Sequence, residues 1–316
     1  MSMSLSPNQV SYRSVFDDWY SRAAIRSKPR RVLAKDLSSG LVCFPPELVP
    51  VSQHRLLADR GEGLVRELLT RHLLAYLSFT DHLEHGVVNR TVQRIAVGEA
   101  GFGLPQEMRL DAYKIYCDEA YHSLFCADLA QQIHTAAGIP QSANGKHAAL
   151  EGMRRQCDGL TPEMRDLAET FFVIVSETLI SATFTKIPAD GRVLPAVRQA
   201  IADHAEDEGR HHAYFAKLCE LVWPQLTPRE KETIGPLLPF FITIFLGPNY
   251  PAVRAYLSQY LSPEEAEQVI VESYPPQKVS ANITGAARAT MRLFGRCGVL
   301  EHAETAEAFR RSGLLV

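Results

Sequence analysis

Two segments of the chain read Asp-Glu-x-x-His, Asp118-Glu119-Ala120-Tyr121-His122 and Asp207-Glu208-Gly209-Arg210-His211, and no other Glu and His stand three residues apart in that order. On an α-helix, residues three, four and seven apart share a face. His204 stands four residues before Glu208 and seven before His211. At roughly 100° per residue the three fall within about a 60° arc. A carboxylate and two imidazoles on one stripe suit a transition metal. A single Glu-x-x-His carries little information, since about one is expected by chance at ordinary composition. Two copies, both preceded by Asp, tie two distant segments to one site and require both to be helical.

Two more glutamates extend the pattern. Glu84 precedes Glu119 by 35 residues and Glu177 precedes Glu208 by 31. Both gaps fit an antiparallel helix pair joined by a loop. Glu177 stands in Phe171-Phe172-Val173-Ile174-Val175-Ser176-Glu177, within a segment apolar on nearly every side, where an unpaired carboxylate is expensive. Four helices that each bring a carboxylate inward, two of them adding Glu-x-x-His, form the arrangement of dimetal carboxylate bundles in the ferritin-like class. The expected fold is all-α: a ferritin-like four-helix di-iron core with additional N- and C-terminal helices.

The chain read in order supports this. Residues 1–60 carry Pro7, Pro29, Pro45, Pro46 and Pro50 and one short helical patch at Phe16 and Trp19, so they form an arm around a core built later. The basic run Arg26-Ser27-Lys28-Pro29-Arg30-Arg31 reads as a solvated part of it. Leu64, Leu68, Leu69, Leu73, Leu74 and Leu77 recur at helical spacing from Gly61 to about Val88, with Glu84 near the end of that helix. Pro105 opens a helix running to about Ala137, and Thr161 caps one that stops near Pro188. Pro195 opens the helix of the second motif, which ends near Pro224. Further helices are expected over 228–245, 251–259, 262–272, 279–296 and 302–312. The whole, 1–316, reads as one domain: arm 1–60, metal-binding bundle 61–221 and C-terminal helices 222–316 closing a pocket.

Net charge is −3, which gives no general affinity for nucleic acid or membranes. Six scattered cysteines without C-x-x-C suit a reducing compartment. Met1 to Leu5 lead into polar sequence with no signal-peptide pattern, and the longest apolar run, Pro236 to Leu246, is short for a bilayer. The expected location is cytoplasmic.

The metal ligands expected from the pattern are Glu84, Glu119, His122, Glu177, His204, Glu208 and His211, with no catalytic residue beyond them. His212 competes with His211, being also one turn from Glu208. Asp118 and Asp207 are expected to accept the free ring N–H of ligating histidines, which fixes the tautomer. Tyr76, Tyr121, Thr178 and Ser181 lie near the site by spacing and are candidates for a substrate pocket. No G-x-G-x-x-G opens a helix and no cysteine spacing fits an iron–sulfur cluster, so electrons must come from an external donor. Carboxylate and imidazole ligands accept manganese as well as iron.

With these residues in view, the chain resembles the non-haem di-iron N-oxygenases of natural-product biosynthesis, the p-aminobenzoate N-oxygenase type. The resemblance covers roughly residues 40–300. It rests on Phe44-Pro45-Pro46-Glu47-Leu48-Val49-Pro50, on Tyr76 eight residues before Glu84, on Asp118-Glu119-x-x-His122, on Ser176-Glu177-Thr178 and on His204-x-x-x-Glu208-x-x-His211. It implies a homodimer, two iron ions, dioxygen as co-substrate, an external reductase and a peroxo-di-iron(III) species that oxidises an amine or imine nitrogen of a small intermediate in secondary metabolism. The product would be a hydroxylamine, nitroso, nitro or N-oxide. It further implies Glu84, Glu119 and His122 on one iron and Glu177, His204, Glu208 and His211 on the other, with Glu119 and Glu208 as bridges. An arginine thought to hold the aminobenzoate carboxylate on a late helix is replaced here by Gly285, with Arg288 and Arg292 nearby. The same ligands also serve C–H hydroxylation, desaturation and oxidative cleavage. A radical-generating reductase subunit would place a tyrosine where Cys126 stands. A ferritin-like store or other non-enzymatic metal protein needs no long arm and no C-terminal helices.

Overall fold

The computed structural model describes residues 12–33, 40–140, 147–180 and 186–315. Among them there is no β-strand, only an isolated bridge between Val42 and Val193. The principal helices are α1 (Glu62–Leu83), α2 (Asn89–Val97), α3 (Gln106–Ala137), α4 (Ala148–Cys157), α5 (Pro162–Leu179) and α6 (Pro195–Val222). They are followed by α7 (Leu238–Leu246), α8 (Tyr250–Leu257), α9 (Pro263–Ser273), α10 (Pro276–Arg296) and α11 (Ala303–Arg311). The architecture is the all-α ferritin-like bundle expected from the pattern.

Local chemistry sets the helix ends. Thr161 accepts a hydrogen bond from the Met164 amide at the start of α5, with Pro162 in the first turn. α3 closes on Gly138 at φ +65°, a left-handed position where glycine carries no Cβ penalty. The leucine helix does not end at Val88. It passes from α1 through a π turn, Glu84–Val88, directly into α2, which stops at Gly98. A π turn inserts a residue into the 3.6 period, so the apolar stripe changes phase there and the sequence pattern reads as an ending.

α1 packs along α3, α5 along α6, and α3 meets α6 to complete the four-helix core. Two apolar clusters fill it. One gathers Val87, Val88, Ile115, Phe171 to Val175, Tyr214 and Phe215. The other gathers Leu69, Leu73, Leu77, Cys126, Leu129, Val197 and Ile201. Glu119 and His122 fall in sequence between Ile115 of the first cluster and Cys126 of the second, and His204, Glu208 and His211 between Ile201 of the second and Tyr214 of the first, so the polar residues of α3 and α6 occupy a buried layer at the level where the clusters meet.

Residues 228–257 are long and apolar enough to cross a membrane by length and composition alone. Here the stretch is broken into Pro228–Ile234, a 3₁₀ turn at Gly235–Leu237, α7 and α8. Leu238, Phe241 and Ile242 of α7 are buried against the bundle, and Phe172 of α5 meets Phe241 edge-on at 5.3 Å.

The basic arm is not left to solvent. Arg31 forks onto Asp203 at 2.6 and 2.9 Å, Lys28 reaches Glu206 at 2.6 Å, and Arg30 forks onto Asp128 at 2.7 and 2.9 Å. Acidic side chains on the outer faces of α3 and α6 hold the run down, which reading the arm in isolation misses. Glu206 is the partner of both Lys28 and Arg22.

Phe172 has no exposed surface, and its truncation leaves a cavity at the α5–α7 contact. Phe172→Ala is expected to lower unfolding stability by about 3–5 kcal/mol, read from the urea midpoint.

Candidate metal centre

Each of the four core helices delivers its residues to one place. Glu84 opens the π turn after α1, Glu119 and His122 lie in the middle of α3, Glu177 in the last turn of α5, and His204, Glu208 and His211 in the middle of α6. All seven are at most 1% exposed. Two overlapping groups can each hold a cation: Glu84, His122, His204 and Glu208, and Glu119, His122, Glu208 and His211, with the ligand atoms of each group within 4.8 Å of one another. Glu177 approaches the second group, 3.9 Å from His211 Nδ1.

His204 lies on the side of Glu84 and His122, not of Glu177. Its Nε2 is 2.9 Å from Glu84 Oε1 and 3.0 Å from Glu208 Oε1, and its ring centroid is 4.3 Å from that of His122. The helix repeat explains this. His204 and His211 are separated by about 10 Å of rise, with Glu208 between them. They therefore flank Glu208 on opposite sides. His211, not His212, belongs to the cluster: His212 is half-buried and outside both groups.

The aspartates work crosswise. His122 Nε2 is 3.1 Å from Asp207, and His211 Nε2 is 3.3 Å from Asp118. Each motif's Asp thus orients the other motif's His, and leaves both Nδ1 atoms facing the glutamates. Both aspartates are held from the far side by the arm. The Trp19 indole N–H donates to both oxygens of Asp118 at 2.8 Å, and the Ala24 amide donates to Asp207 at 3.1 Å, beside Arg210. Neither Trp19 nor Ala24 is visible as a site residue in sequence, because nothing in helical spacing relates the arm to α3 or α6.

Several polar atoms in this layer are buried without a well-formed hydrogen bond: both oxygens of Glu84, one each of Glu119, Glu177 and Glu208, and Nδ1 of His211, although His204 Nε2 approaches Glu84 to 2.9 Å and His211 Nδ1 approaches Glu119 to 3.1 Å as ion pairs. Buried polar atoms are normally satisfied. Here they converge, and four carboxylates match the charge of two divalent cations. The residues present therefore fit a dimetal centre.

The electrostatics of the metal-free chain say the same. Burial pushes Glu84 up to about 7 although His204 pulls it down. Burial, then Glu208 and Glu119, raise Glu177 well above the carboxylate range. Burial by itself would depress the imidazoles, but Asp207 and Glu119 drive His122 well above its ordinary value, and Glu208 and Glu119 do so for His211. Glu208 is buried too, yet His211 and His204 hold it well below. Protons and imidazolium charge thus stand in for cations.

A cavity of about 480 Å³ opens beside this layer, lined by Tyr76, Phe79 and Thr80 of α1, Ile180, and residues of α7, α8 and α10. Thr80 lies one turn before Glu84 and Ile180 three residues after Glu177. Of the expected pocket residues, Tyr76 lines it. Thr178 does not: its hydroxyl donates to the Ile174 carbonyl at 2.7 Å and meets Thr290 of α10 at 3.0 Å. Tyr121 does not either, since its position beside His122 turns it to the arm side, against Phe125. Ser181 is outside the described residues. Gly285, Arg288 and Arg292 are exposed and do not line the cavity; α10 contributes Lys278, Val279 and Asn282 instead. Another cavity, of about 430 Å³, lies around Cys43, Thr70 and Ile139 and contains none of the candidate ligands.

Where a folded-state pKa exceeds the unfolded one, the folded chain retains a proton the unfolded chain has lost, and stability falls as pH rises through that window. His122, His204 and His211 are all raised from 6.5. The metal-free protein should therefore be less stable at pH 8 than at pH 7, by about 1.4 kcal/mol per pH unit for each proton retained, and unfold at lower temperature. Divalent metal, by displacing those protons, should flatten the dependence. Calorimetry of both forms checks this; a metal-free midpoint that rises from pH 7 to 8 contradicts the cluster electrostatics.

A family model described as p-aminobenzoate N-oxygenase AurF matches residues 31–298. No curated protein matches the chain.

Proposed function

The chain belongs to the p-aminobenzoate N-oxygenase family and is an oxidoreductase of N-oxygenase type, and from that premise we propose that it uses a di-iron centre and dioxygen to oxidise the nitrogen of a small amine or imine. The observation that carries the reading is the set of unsatisfied carboxylate oxygens converging between the two Asp-Glu-x-x-His motifs. Glu84, His122 and His204 would hold one iron and Glu177 and His211 the other, with Glu119 and Glu208 within reach of both groups. When bound, the pair supplies reductive activation of dioxygen.

The chain's own residues prepare the rest. Asp118 and Asp207 keep the Nε2 protons of His211 and His122, which leaves Nδ1 free to ligate. Phe79, Ile244, Phe245, Leu246 and Val253 wall the cavity with apolar surface and keep water from the reacting face. Burial holds the cavity residues His72 and His147 down to about 4, so both are uncharged at neutral pH. Around these rings the lining is mostly uncharged, with Glu47 and Lys278 as its charged members, and apolar surroundings favour an unprotonated amine, the form whose lone pair can accept oxygen. No arginine lines the cavity among the described residues, and Lys278 is the cation in its lining.

The test is anaerobic loading with ferrous iron, an oxygen pulse with candidate amines, and mass analysis. The expected product gains oxygen on nitrogen, labelled when ¹⁸O₂ is used. Label on carbon would instead make the protein a hydroxylase built from the same ligands. Glu177→Ala should hold fewer than two irons per chain while keeping the helical circular dichroism; two irons in that variant would overturn the ligand set. Asp118→Asn should weaken iron binding about 10–100-fold.

A further inference from the structure

One of the two aspartates leads to the protein surface through aromatic rings. His211 contacts Asp118, Asp118 accepts twice from the Trp19 indole, and the Trp19 ring meets Tyr20 edge-on with centroids 5.2 Å apart. Trp19 is 7% exposed and Tyr20 68%. The Arg26 guanidinium lies over both rings, at 5.9 and 5.8 Å, and the Lys114 ammonium lies 5.9 Å from the Tyr20 ring. The other aspartate ends differently. Asp207 is held by the Ala24 amide and Arg210, neither of which offers an aromatic ring. A backbone N–H therefore suffices to position such a carboxylate, and the indole at Asp118 brings something more: a delocalised π system bridging the cluster to the outside.

The function proposed above gives that bridge a use. One turnover converts an amine, dioxygen, two electrons and two protons into a hydroxylamine and water: one oxygen atom forms the N–O bond, and the other is reduced to water. The two electrons come from outside the chain. We infer that they enter through Trp19, delivered one at a time by an acidic iron–sulfur carrier protein that docks over Tyr20 and Arg26.

Charge favours that carrier. Residues 12–33 hold Arg13, Arg22, Arg26, Lys28, Arg30 and Arg31 against Asp17 and Asp18. Several of these cations are engaged by carboxylates of α3 and α6, but Arg26 pairs with no carboxylate among the described residues and is exposed. An exposed tyrosine under an unpaired guanidinium suits a negatively charged partner at short range. The route is His211, Asp118, Trp19, and no residue along it is consumed. The inference rests on the dimetal reading, so the first measurement is the iron content of the wild-type chain; fewer than two irons refutes that reading before this one is touched.

The experiment follows reduction of the oxidised, iron-loaded protein by optical bleaching. The reductants are dithionite with methyl viologen and a reduced plant-type [2Fe–2S] ferredoxin, at about −400 mV. Trp19→Phe removes the donor to Asp118, so its effect is read as a ratio: its ferredoxin rate per bound iron pair is expected to fall at least tenfold further than its viologen rate. Arg26→Glu, an exposed change outside the cluster, should slow the ferredoxin reaction at low ionic strength and approach wild type at high salt. Wild-type ferredoxin rates in Trp19→Phe overturn the route. Equal slowing with both reductants reduces Trp19 to a residue that merely positions Asp118. If Trp19→Phe loses iron, Arg26→Glu decides: unchanged rates at low salt overturn the docking face.

Discussion

Mutual repulsion among four buried carboxylates is the constraint around which this protein is built. An ionised carboxylate taken out of water carries an effective penalty of several kcal/mol, and neighbours of the same sign add to it. Glu84, Glu119, Glu177 and Glu208 come from four helices and are all at most 1% exposed. Without cations the chain answers by holding protons on Glu84 and Glu177 and charge on His122 and His211. That is a costly way to fill a core, and packed apolar side chains would do it better. The layer makes physical sense as a cradle for two divalent ions.

The rest of the fold keeps that cradle in register. Apolar clusters packed around the layer keep its seven polar side chains at most 1% exposed. The π turn at Glu84–Val88 places Glu84 at the point where the helix repeat is broken, so that α1 and α2 stay one rod while the carboxylate turns inward. The exchange of partners between motifs, Asp118 with His211 and Asp207 with His122, locks α3 to α6 through the imidazoles themselves. Moving either helix along its axis would break both contacts together.

Much of this was legible in the sequence, because helical periodicity is local and the motif is repeated. Glu177 stood out since an apolar helix gives a carboxylate no other reason to be there, and Thr161 and Pro195 marked true helix starts. What escaped detection depended on long-range geometry. The side of the cluster on which His204 falls follows from rise along α6, not from which residues share a face. Thr178 and Tyr121 sit near ligands in sequence yet turn toward α10 and the arm, because neighbours on a helix point about 100° apart. Trp19 and Ala24 reach the site through tertiary docking of a segment with no pattern of its own.

The arm thereby changes status. Read alone, Arg26 to Arg31 is a string of charges with nothing to bind. Docked, it anchors the segment that supplies both outer donors to the aspartates: Arg31 on Asp203 and Lys28 on Glu206 hold the chain on the α6 face, with Ala24 against Asp207 there and Trp19 reaching Asp118 on α3. These ion pairs are part-buried, and that of Arg31 is a two-pronged fork on Asp203. Their value is positional: they fix two one-turn helices of the arm, Trp19–Arg22 and Ala24–Ser27, closely enough for an indole N–H to sit 2.8 Å from both oxygens of a buried carboxylate. The centre is therefore not a property of the four-helix bundle alone. Its outer wall is a segment more than 80 residues upstream of the first Asp-Glu-x-x-His motif, held in place by charge and read at the metal layer through two hydrogen-bonded aspartates.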